Sequence, residues 1–584
     1  MMYKAFRVSL LLFCLNGLVA AAPQKQNAPQ AELLYQKGLA ELKRRDLNSA
    51  RTSFEQVLKL APRSPEAHNS LGFVLFTQGE LDPAISHFRT ALQLKANFPQ
   101  AETNLASALA QKGDLQPAIA AARNAVRLAP KDVETHRTLG RVLSFSGDLD
   151  GAIAELRQAT ELDPPRTDLH DELGSVLAQK SLWNEAAAEF SRALRLQPNS
   201  PNANLHLGVV RWQQKSLDEA RDLLSKAVQL DPHNPQPHYY LARVLEDRGL
   251  HDDAIRELQA TVKLQPDFAE ALNQLGLSLQ RASDADGAIS AFQRLVRLQP
   301  ENPDAHNNLG LALIQAGQAS NSIAEFEQAL RLRPNDAAYR GNLGIAYLQK
   351  ADFDGAIAQL RSALEIAPDD ATLHYNLGLA LKLKDQLADA AAEFQKAAQL
   401  DPNQADIHYT WGITYWQQGD FPHAADELRT ALKIKPDYAE AHYTLGTVLK
   451  QQGSLQDAAA ELREAIRLQP DFAGAHTTLA AVLRQLGDAG GAAAEARAGE
   501  SLAKEKTNLQ AATFATNSGK RLLTAGDLEG AISQFQNAIR MVPTYAPAHY
   551  QLAIAMSRKG EKREAELEFN KANDLDPRLA APGK

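Results

Sequence analysis

Small and apolar residues recur along the chain with a period of 34 residues. With position 1 of each unit counted from residues 31, 65 and 99 onward, fourteen units fill residues 31–506 and two more fill residues 512–579. Position 8 is Gly or Ala in all sixteen units, position 20 is Ala in fifteen, and position 32 is Pro in fourteen. So strict a period predicts an array of one repeated structural unit, in which each copy buries its apolar face against its neighbours.

Each unit has the apolar spacing of two amphipathic helices. Positions 4, 7, 8 and 11 carry apolar or small residues, as do positions 20, 24, 27 and 28, which is the i, i+3, i+4, i+7 stripe of a helix. Gly at position 15, as in Gly113 and Gly419, ends the first helix, and Pro at position 32 ends the second. The sequence therefore predicts an all-α protein of helix pairs, with small residues at positions 8 and 20 letting the two helices approach closely.

This pattern resembles the tetratricopeptide repeat, in which antiparallel helix pairs stack into a right-handed superhelical solenoid. The resemblance extends over residues 31–579. It implies a concave groove lined mainly by the first helices and a convex back made by the second helices. A ligand of this protein is expected in that groove.

The residues outside the repeats predict export and one irregularity in the array. Residues 1–21 carry Lys4 and Arg7, an apolar run over residues 8–19 and small residues at the end, which predicts a secretory signal peptide. Residues 22–30 form a leader and residues 580–584 a tail. The same signal serves periplasmic and secreted proteins, so both locations are open. The inserted residues 507–511 indicate either a joint within residues 490–519, between a fourteen-unit array and a two-unit module, or a lengthened helix.

Charge and motifs narrow the range of functions. The formal net charge is −8, and without Lys4 and Arg7 the chain has 60 basic against 70 acidic side chains, which argues against nucleic-acid binding. Cys14, the only cysteine, lies in the predicted signal peptide, so no cysteine metal site or disulfide is expected. No phosphate-binding loop, HExxH or GxSxG motif occurs. We expect no enzymatic activity, no catalytic residue, no cofactor and no metal.

Ten of the fifteen histidines occupy position 4. Residues that recur once per unit lie roughly 10 Å apart, from ordinary helix diameters, which is too far for them to share a metal ion. We expect a packing role between helices for this set: His68, His136, His170, His238, His306, His374, His408, His442, His476 and His549.

The stretch HYTWGITYWQQGD over residues 408–420 divides into framework and candidate site. His408, Trp411, Gly412 and Tyr415 fall at positions 4, 7, 8 and 11 and are expected to pack between helices. Positions 5, 9 and 12 lie on the neighbouring stripe, which the resemblance places in the groove. With the amides at positions 6 and 13, that stripe supplies the candidate peptide-binding residues: Asn308, Asn342, Asn376, Ile345, Tyr375, Leu379, Tyr409, Ile413, Trp416, Gln417 and Tyr443.

Amides beside aromatic and aliphatic side chains suit an extended peptide, because amides pair with its backbone and rings cover its apolar side chains. The Asn-Leu-Gly triplets that begin at Asn308, Asn342 and Asn376 resemble the asparagine ladder in the repeat domain of the O-linked N-acetylglucosamine transferases. Position 6 is not Asn in most other units, and Asn before Leu-Gly is common in such repeats, so consensus drift is the alternative. Position 5 is never Lys and position 9 never Asn, which excludes the carboxylate clamp of tetratricopeptide co-chaperones.

These observations favour an exported, non-enzymatic scaffold or adaptor that binds an extended segment of a protein partner. One alternative is a substrate-selecting or regulatory subunit of a separately encoded enzyme, such as a glycosyltransferase. The other is a structural spacer. No transmembrane helix is expected after removal of the signal, because no later segment has roughly 20 consecutive apolar residues.

Overall fold

The computed structural model describes residues 28–579, and this part of the chain is all-α, with thirty-one helices and no strand. The predicted signal peptide, most of the leader and the tail lie outside the described residues. No described helix combines the length and the apolar character needed to cross a membrane. The predicted all-α helical-repeat solenoid is confirmed.

The chain divides into two compact units, Met1–Gln299 and Pro300–Lys584. The helices of the first unit are α1 (Ala28–Lys43), α2 (Leu47–Leu60), α3 (Pro65–Thr77), α4 (Leu81–Leu94), α5 (Pro99–Lys112), α6 (Leu115–Leu128), α7 (Val133–Ser146), α8 (Leu149–Leu162), α9 (Thr167–Gln179), α10 (Trp183–Leu196), α11 (Pro201–Gln213), α12 (Leu217–Leu230), α13 (Pro235–Asp247), α14 (His251–Leu264), α15 (Ala269–Arg281) and α16 (Ala285–Leu298).

The helices of the second unit are α17 (Pro303–Gln315), α18 (Ala319–Leu332), α19 (Ala337–Gln349), α20 (Phe353–Ile366), α21 (Ala371–Leu383), α22 (Leu387–Leu400), α23 (Ala405–Gln418), α24 (Phe421–Ile434), α25 (Ala439–Gln451), α26 (Leu455–Leu468), α27 (Ala473–Gln485), α28 (Ala489–Thr524), α29 (Leu528–Met541), α30 (Ala546–Lys559) and α31 (Lys562–Leu575). Up to α27 the odd-numbered helices are the first helices of the pairs, and each packs against the second helix that follows it.

Every first helix ends at a residue with a positive φ angle at position 15. Ten of these residues are glycines, as the sequence predicts. Six other residues adopt the conformation although each carries a Cβ atom, which disfavours it: Arg45, Ser181, Lys215, Ser283, Ala351 and Asp385. The left-handed turn is therefore imposed by the packing of the helix pair, even where the local sequence does not favour it.

The second helices begin at an aspartate cap in several units. Asp148 accepts a hydrogen bond from the backbone N–H of Gly151 at 2.9 Å, and Asp352 does the same for Gly355. Such a carboxylate satisfies an N–H group that the first helical turn leaves unpaired, and its charge favours the positive end of the helix dipole.

Close approach of the two helices depends on the small residue at position 8. A Cβ atom added to Gly378 would lie 2.6 Å from Cε1 of Phe394, a ring at position 24 that is fully buried. The same relationship holds between Gly344 and Leu360, where the added Cβ would lie 2.7 Å from Cγ. The predicted role of small residues at position 8 is confirmed.

The inserted residues 507–511 lie inside α28, which is 36 residues long. This helix joins the second helix of the fourteenth unit to the first helix of the fifteenth without a turn. The insertion therefore lies within one long helix. Its C-terminal part is packed by Ala512, Ala515 and Gly519, all of which are buried.

Candidate functional site

The histidines at position 4 form hydrogen bonds with a side chain on the second helix of the same pair. In nine units Nδ1 lies 2.5–2.7 Å from a carboxylate oxygen of the glutamate nineteen residues later, as between His374 and Glu393. In eight of these units Nε2 also reaches the carbonyl oxygen of the proline six residues earlier. The predicted packing role is confirmed, and these side chains are structural.

Both ring nitrogens of such a histidine face hydrogen-bond acceptors. In His238 the carboxylate of Glu257 lies at 2.6 Å and the carbonyl oxygen of Pro232 at 3.3 Å. A carboxylate and a carbonyl oxygen can only accept, so the geometry favours a doubly protonated, cationic ring. Consistently, the hydrogen bond to Glu257 raises the pKa of His238 above its usual value, although burial opposes it.

Two units depart from this arrangement. His68 faces His87 in place of a glutamate, with the two Nδ1 atoms 2.9 Å apart, and burial and the charge of His68 lower the pKa of His87. His408 keeps its bond to Glu427, but its buried Nε2 has no hydrogen-bond partner within residues 28–579. The buried indole nitrogen of Trp411 is likewise without one in this part of the chain.

Within each of the two compact units, successive first helices are linked by hydrogen bonds between residues 35 positions apart. In the first unit these links are Tyr35 with Ser70, Asn69 with Asn104, Arg137 with Glu172, Asp171 with His206, Trp212 with Asp247, and Glu246 with Arg281. In the second unit they are Asp304 with Tyr339, Asn307 with Asn342, the carbonyl of Ile314 with Gln349, Tyr375 with Thr410, and Trp416 with Gln451. Asp304 and Tyr339 join positions 2 and 3, and every other link joins position 5 to position 6 or position 12 to position 13 of the next first helix.

We call the surface formed by positions 5, 6, 9, 12 and 13 of the first helices in the second unit the first-helix face. All eleven predicted groove residues lie on it. Ten of them are partly buried, and Gln417 is exposed.

The tyrosines at position 5 contribute to packing as well as to the surface. The ring of Tyr409 lies 4.8 Å from that of Tyr438, and the ring of Tyr443 lies 4.7 Å from that of Phe472. In each case the second ring, at position 34, precedes the next first helix. Burial also raises the pKa of the Tyr409 hydroxyl. These rings therefore hold neighbouring pairs together, a role that the sequence analysis did not assign to them.

The predicted row of asparagines is not uniform in the structure. The amide of Asn342 donates to Oδ1 of Asn307 at 2.8 Å, so it is occupied by the framework. Asn376 has Gly341 at the corresponding position of the preceding helix, and its side chain has no hydrogen-bond partner within residues 28–579. Of this pair, Asn376 is the amide better placed to bind a ligand.

Aliphatic side chains form the middle of the first-helix face. Leu311, Ile345, Leu379 and Ile413 occupy position 9 of four successive first helices, and all remain partly exposed. The position-7 leucines on the same helices are buried, for example Leu343 and Leu377. The face therefore presents a row of apolar groups with access to solvent.

No cluster of three or more residues suited to a metal ion occurs among the described residues. A cavity of about 370 Å³ in the first unit is bordered by Asp284 and Arg294. Asp284 caps α16 through the N–H of Gly287, and Arg294 donates to the carbonyl oxygens of Val262 and Pro266, so both charges serve the backbone.

Comparison with known protein families gives matches along the chain. A profile described as tetratricopeptide repeat matches residues 35–102, 103–167, 137–201, 172–235, 273–337, 409–471 and 443–504. A second profile of the same description matches residues 211–275 and 522–581, and a profile described as TPR repeat matches residues 346–385 and 378–419. Among curated proteins, none matches the chain.

Several solved structures are similar to parts of this chain. The Cut9–Hcn1 hetero-tetramer of APC/C is 16% identical, with 78% of this chain and 96% of that one covered and a TM-score of 0.37. Yeast Tom70 is 17% identical, with 76% and 98% covered and a TM-score of 0.30. YrrB, described as a TPR protein with an unusual peptide-binding site, is 22% identical, with 34% and 97% covered and a TM-score of 0.29.

The repeat profiles match well over half of the chain, and the described residues form helix pairs with a 34-residue period. The protein is therefore an all-α repeat scaffold of a kind consistent with protein–protein interaction. The chain belongs to the tetratricopeptide repeat family.

Proposed function

We propose that this protein is an exported, non-enzymatic adaptor whose first-helix face binds an extended segment of a protein partner in the cell envelope or outside the cell. The observation that carries the proposal is the row of partly exposed aliphatic side chains at position 9, from Leu311 to Ile413. A row of apolar side chains with access to solvent and polar groups beside them suits an interaction site.

The setting of this row supports a chain-like ligand. The position-9 side chains recur once per helix pair, so they offer contacts at regular intervals along one direction. Asn376 adds an amide that can pair with a peptide backbone, and Trp416 adds a partly exposed ring. A segment that crosses several first helices makes many small contacts, which suits an extended peptide better than a compact ligand.

Site-specific photo-crosslinking tests this proposal. A photoreactive residue replaces Ile345 or Ile413 on the first-helix face, or Ala358, an exposed residue of α20, as the matched control. The protein is incubated with extract from its native cell envelope. We expect partner crosslinks from the first two positions and not from the third, mapped to one short segment that binds the protein as a synthetic peptide.

Two results would contradict the proposal. Crosslinks of equal yield from Ala358 would show that the first-helix face is not the binding surface. Turnover of peptide, glycan or ester substrates by the purified protein would show that it is an enzyme. A catalytic protein crosslinked in stoichiometric amount would instead favour a substrate-selecting subunit.

A further inference from the structure

Three first helices of the second compact unit carry a cationic side chain at position 12, on the first-helix face. Lys382 lies on α21, Lys450 on α25 and Arg484 on α27, and Trp416 occupies the same position on α23 between the two lysines. Lys382 and Lys450 are partly buried and Arg484 is exposed. The four side chains follow one another on consecutive first helices and form what we call the basic edge.

None of the three cations has a carboxylate or a hydrogen-bond acceptor as a side-chain partner within residues 28–579. This differs from position 12 of α13, where Glu246 pairs with Arg281 at position 13 of the next first helix. The position-13 neighbours of Lys382 and Lys450 are Gln417 and Gln485, which are neutral. Lys382 and Lys450 therefore have no ion pair to the next first helix of the kind that Glu246 forms with Arg281.

Lys382 shows the cost of this arrangement. Burial alone lowers the pKa of its ammonium group, with no charged residue contributing. Its near neighbour Lys384 instead pairs with Asp354. A partly desolvated cation without a partner is unfavourable unless an anion compensates it in another state of the protein.

We propose that the basic edge binds an extended acidic segment of a partner protein, with carboxylates at Lys382, Lys450 and Arg484 and an apolar side chain on Trp416. This inference rests on the proposed function and specifies the ligand of the same face. It applies to position 12, at the C-terminal ends of the first helices. Asp406 and Glu440 at position 2 lie about 15 Å away along their helices, from ten residues at the helical rise.

The spacing of the edge selects the conformation of the segment. Successive first helices are roughly 10 Å apart, from ordinary helix diameters. A polyproline II helix advances about 9.3 Å per turn of three residues, and residues i, i+3 and i+6 then share one face. The expected ligand carries Asp or Glu at i, i+6 and i+9 and a large apolar residue at i+3.

Peptide binding tests this inference with the full-length exported protein. The probe is a fluorescent proline-rich peptide with Glu at i, i+6 and i+9 and Leu at i+3, and its matched partner has Gln in place of each Glu. We expect the Glu peptide to bind at least about tenfold more tightly, since a hydrogen bond between charged groups contributes about a factor of ten or more. Anisotropy titrations at low salt measure the difference.

Variants assign the effect to the edge. Lys382→Gln and Lys450→Gln should each reduce the preference for Glu, and the double variant should remove most of it, while Lys396→Gln, on the exposed side of α22, should leave it unchanged. Lys382→Glu should prefer a peptide with Lys at residue i. Circular dichroism confirms that each variant keeps its helicity.

The outcomes separate this inference from the function on which it rests. Equal affinity for the Glu and Gln peptides, binding of neither, or an equal loss from Lys396→Gln overturns the acidic-segment proposal. If crosslinks from Ile345 and Ile413 persist in that case, the first-helix face still binds a partner of different chemistry. If the crosslinks are also absent, both the proposed function and the acidic-segment proposal are wrong.

Discussion

Nε1 of Trp416 donates a hydrogen bond to Oε1 of Gln451 at 2.6 Å, from one first helix to the next. The same ring remains partly exposed on the first-helix face. The residue thus fixes the relative position of two helices and is available to a ligand. Under the proposed function, a segment lying across the first-helix face would contact groups that already hold neighbouring first helices in register, so binding and rigidity would be coupled at Trp416.

His238, at position 4 of the seventh repeat, makes stability depend on pH. The folded protein holds the proton of His238 more tightly than the unfolded chain does, since the pKa of His238 is raised. Its contribution is fully present below about pH 6.5 and is lost as the pH rises through the folded-state pKa. We expect His238→Gln to lower the free energy of unfolding by about 1–3 kcal/mol at pH 5.5 and by clearly less at pH 9.

Urea unfolding followed by circular dichroism at the two pH values measures this difference. His233→Gln is the control, since His233 is exposed between α12 and α13. A loss of equal size at both pH values would mean that His238 contributes only packing.

The histidine pair in the second repeat is a position where the protein can be stabilised. The Nδ1 atoms of His68 and His87 face each other, so one of them has to accept. Glutamate at residue 87 would restore the pair seen in nine other units. We expect His87→Glu to raise the free energy of unfolding by about 1–2 kcal/mol near pH 6.

Thermal unfolding compares His87→Glu with His87→Gln, which has a similar length and no charge. The prediction fails if the two variants have the same midpoint temperature.

Replacing alanine by glycine should change stability in opposite directions at two positions, one with a left-handed backbone and one within a helix. Ala351 has a φ angle of 62°, and glycine relieves the steric cost of its Cβ atom. We expect Ala351→Gly to stabilise the protein by about 1 kcal/mol. Ala358→Gly, seven residues later on the exposed side of α20, should destabilise it by about 1 kcal/mol. Chemical denaturation of both variants checks the signs, and a loss for both would show that residue 351 is not strained.

The small residue at position 8 should be more sensitive opposite an aromatic ring than opposite leucine. A Cβ on Gly378 meets three ring atoms of the fully buried Phe394 at 2.6, 2.8 and 3.0 Å, whereas a Cβ on Gly344 comes that close to one atom of Leu360 only, Cγ at 2.7 Å. We expect Gly378→Ala to cost about 1–3 kcal/mol and Gly344→Ala less. Equal unfolding midpoints for the two variants in urea would contradict this explanation.

Much of the fold follows from the sequence because all the units have nearly the same neighbours. The apolar spacing gives the helices, and proline at position 32 gives their ends. The relation between His374 and Glu393 was also present in the sequence as a glutamate nineteen residues after the histidine, although periodicity by itself did not single it out. Because a histidine at position 4 and a glutamate nineteen residues later recur together in nine repeats, the sequence contained a signal for this hydrogen bond.

Less of the candidate site follows from the sequence. Helical spacing places Tyr409 and Asn342 on the first-helix face. Spacing does not say that Tyr409 packs on Tyr438 or that Asn342 pairs with Asn307. The partner residues lie outside the helix that carries Tyr409 or Asn342. Which residue is contacted depends on the side-chain rotamers and on which side chain the neighbouring element places at the same level.

The sequence by itself therefore determined the repeated helix pairs and the face on which each residue lies, because both follow from local periodicity and from the small residues that pack inside every pair. Only the tertiary structure decided which polar groups are neutralised. It joins side chains 35 residues apart, imposes the left-handed turn at Ala351, and leaves Lys382 partly buried without an anion. Such relations arise between helices, where the geometry of the packed array selects each partner.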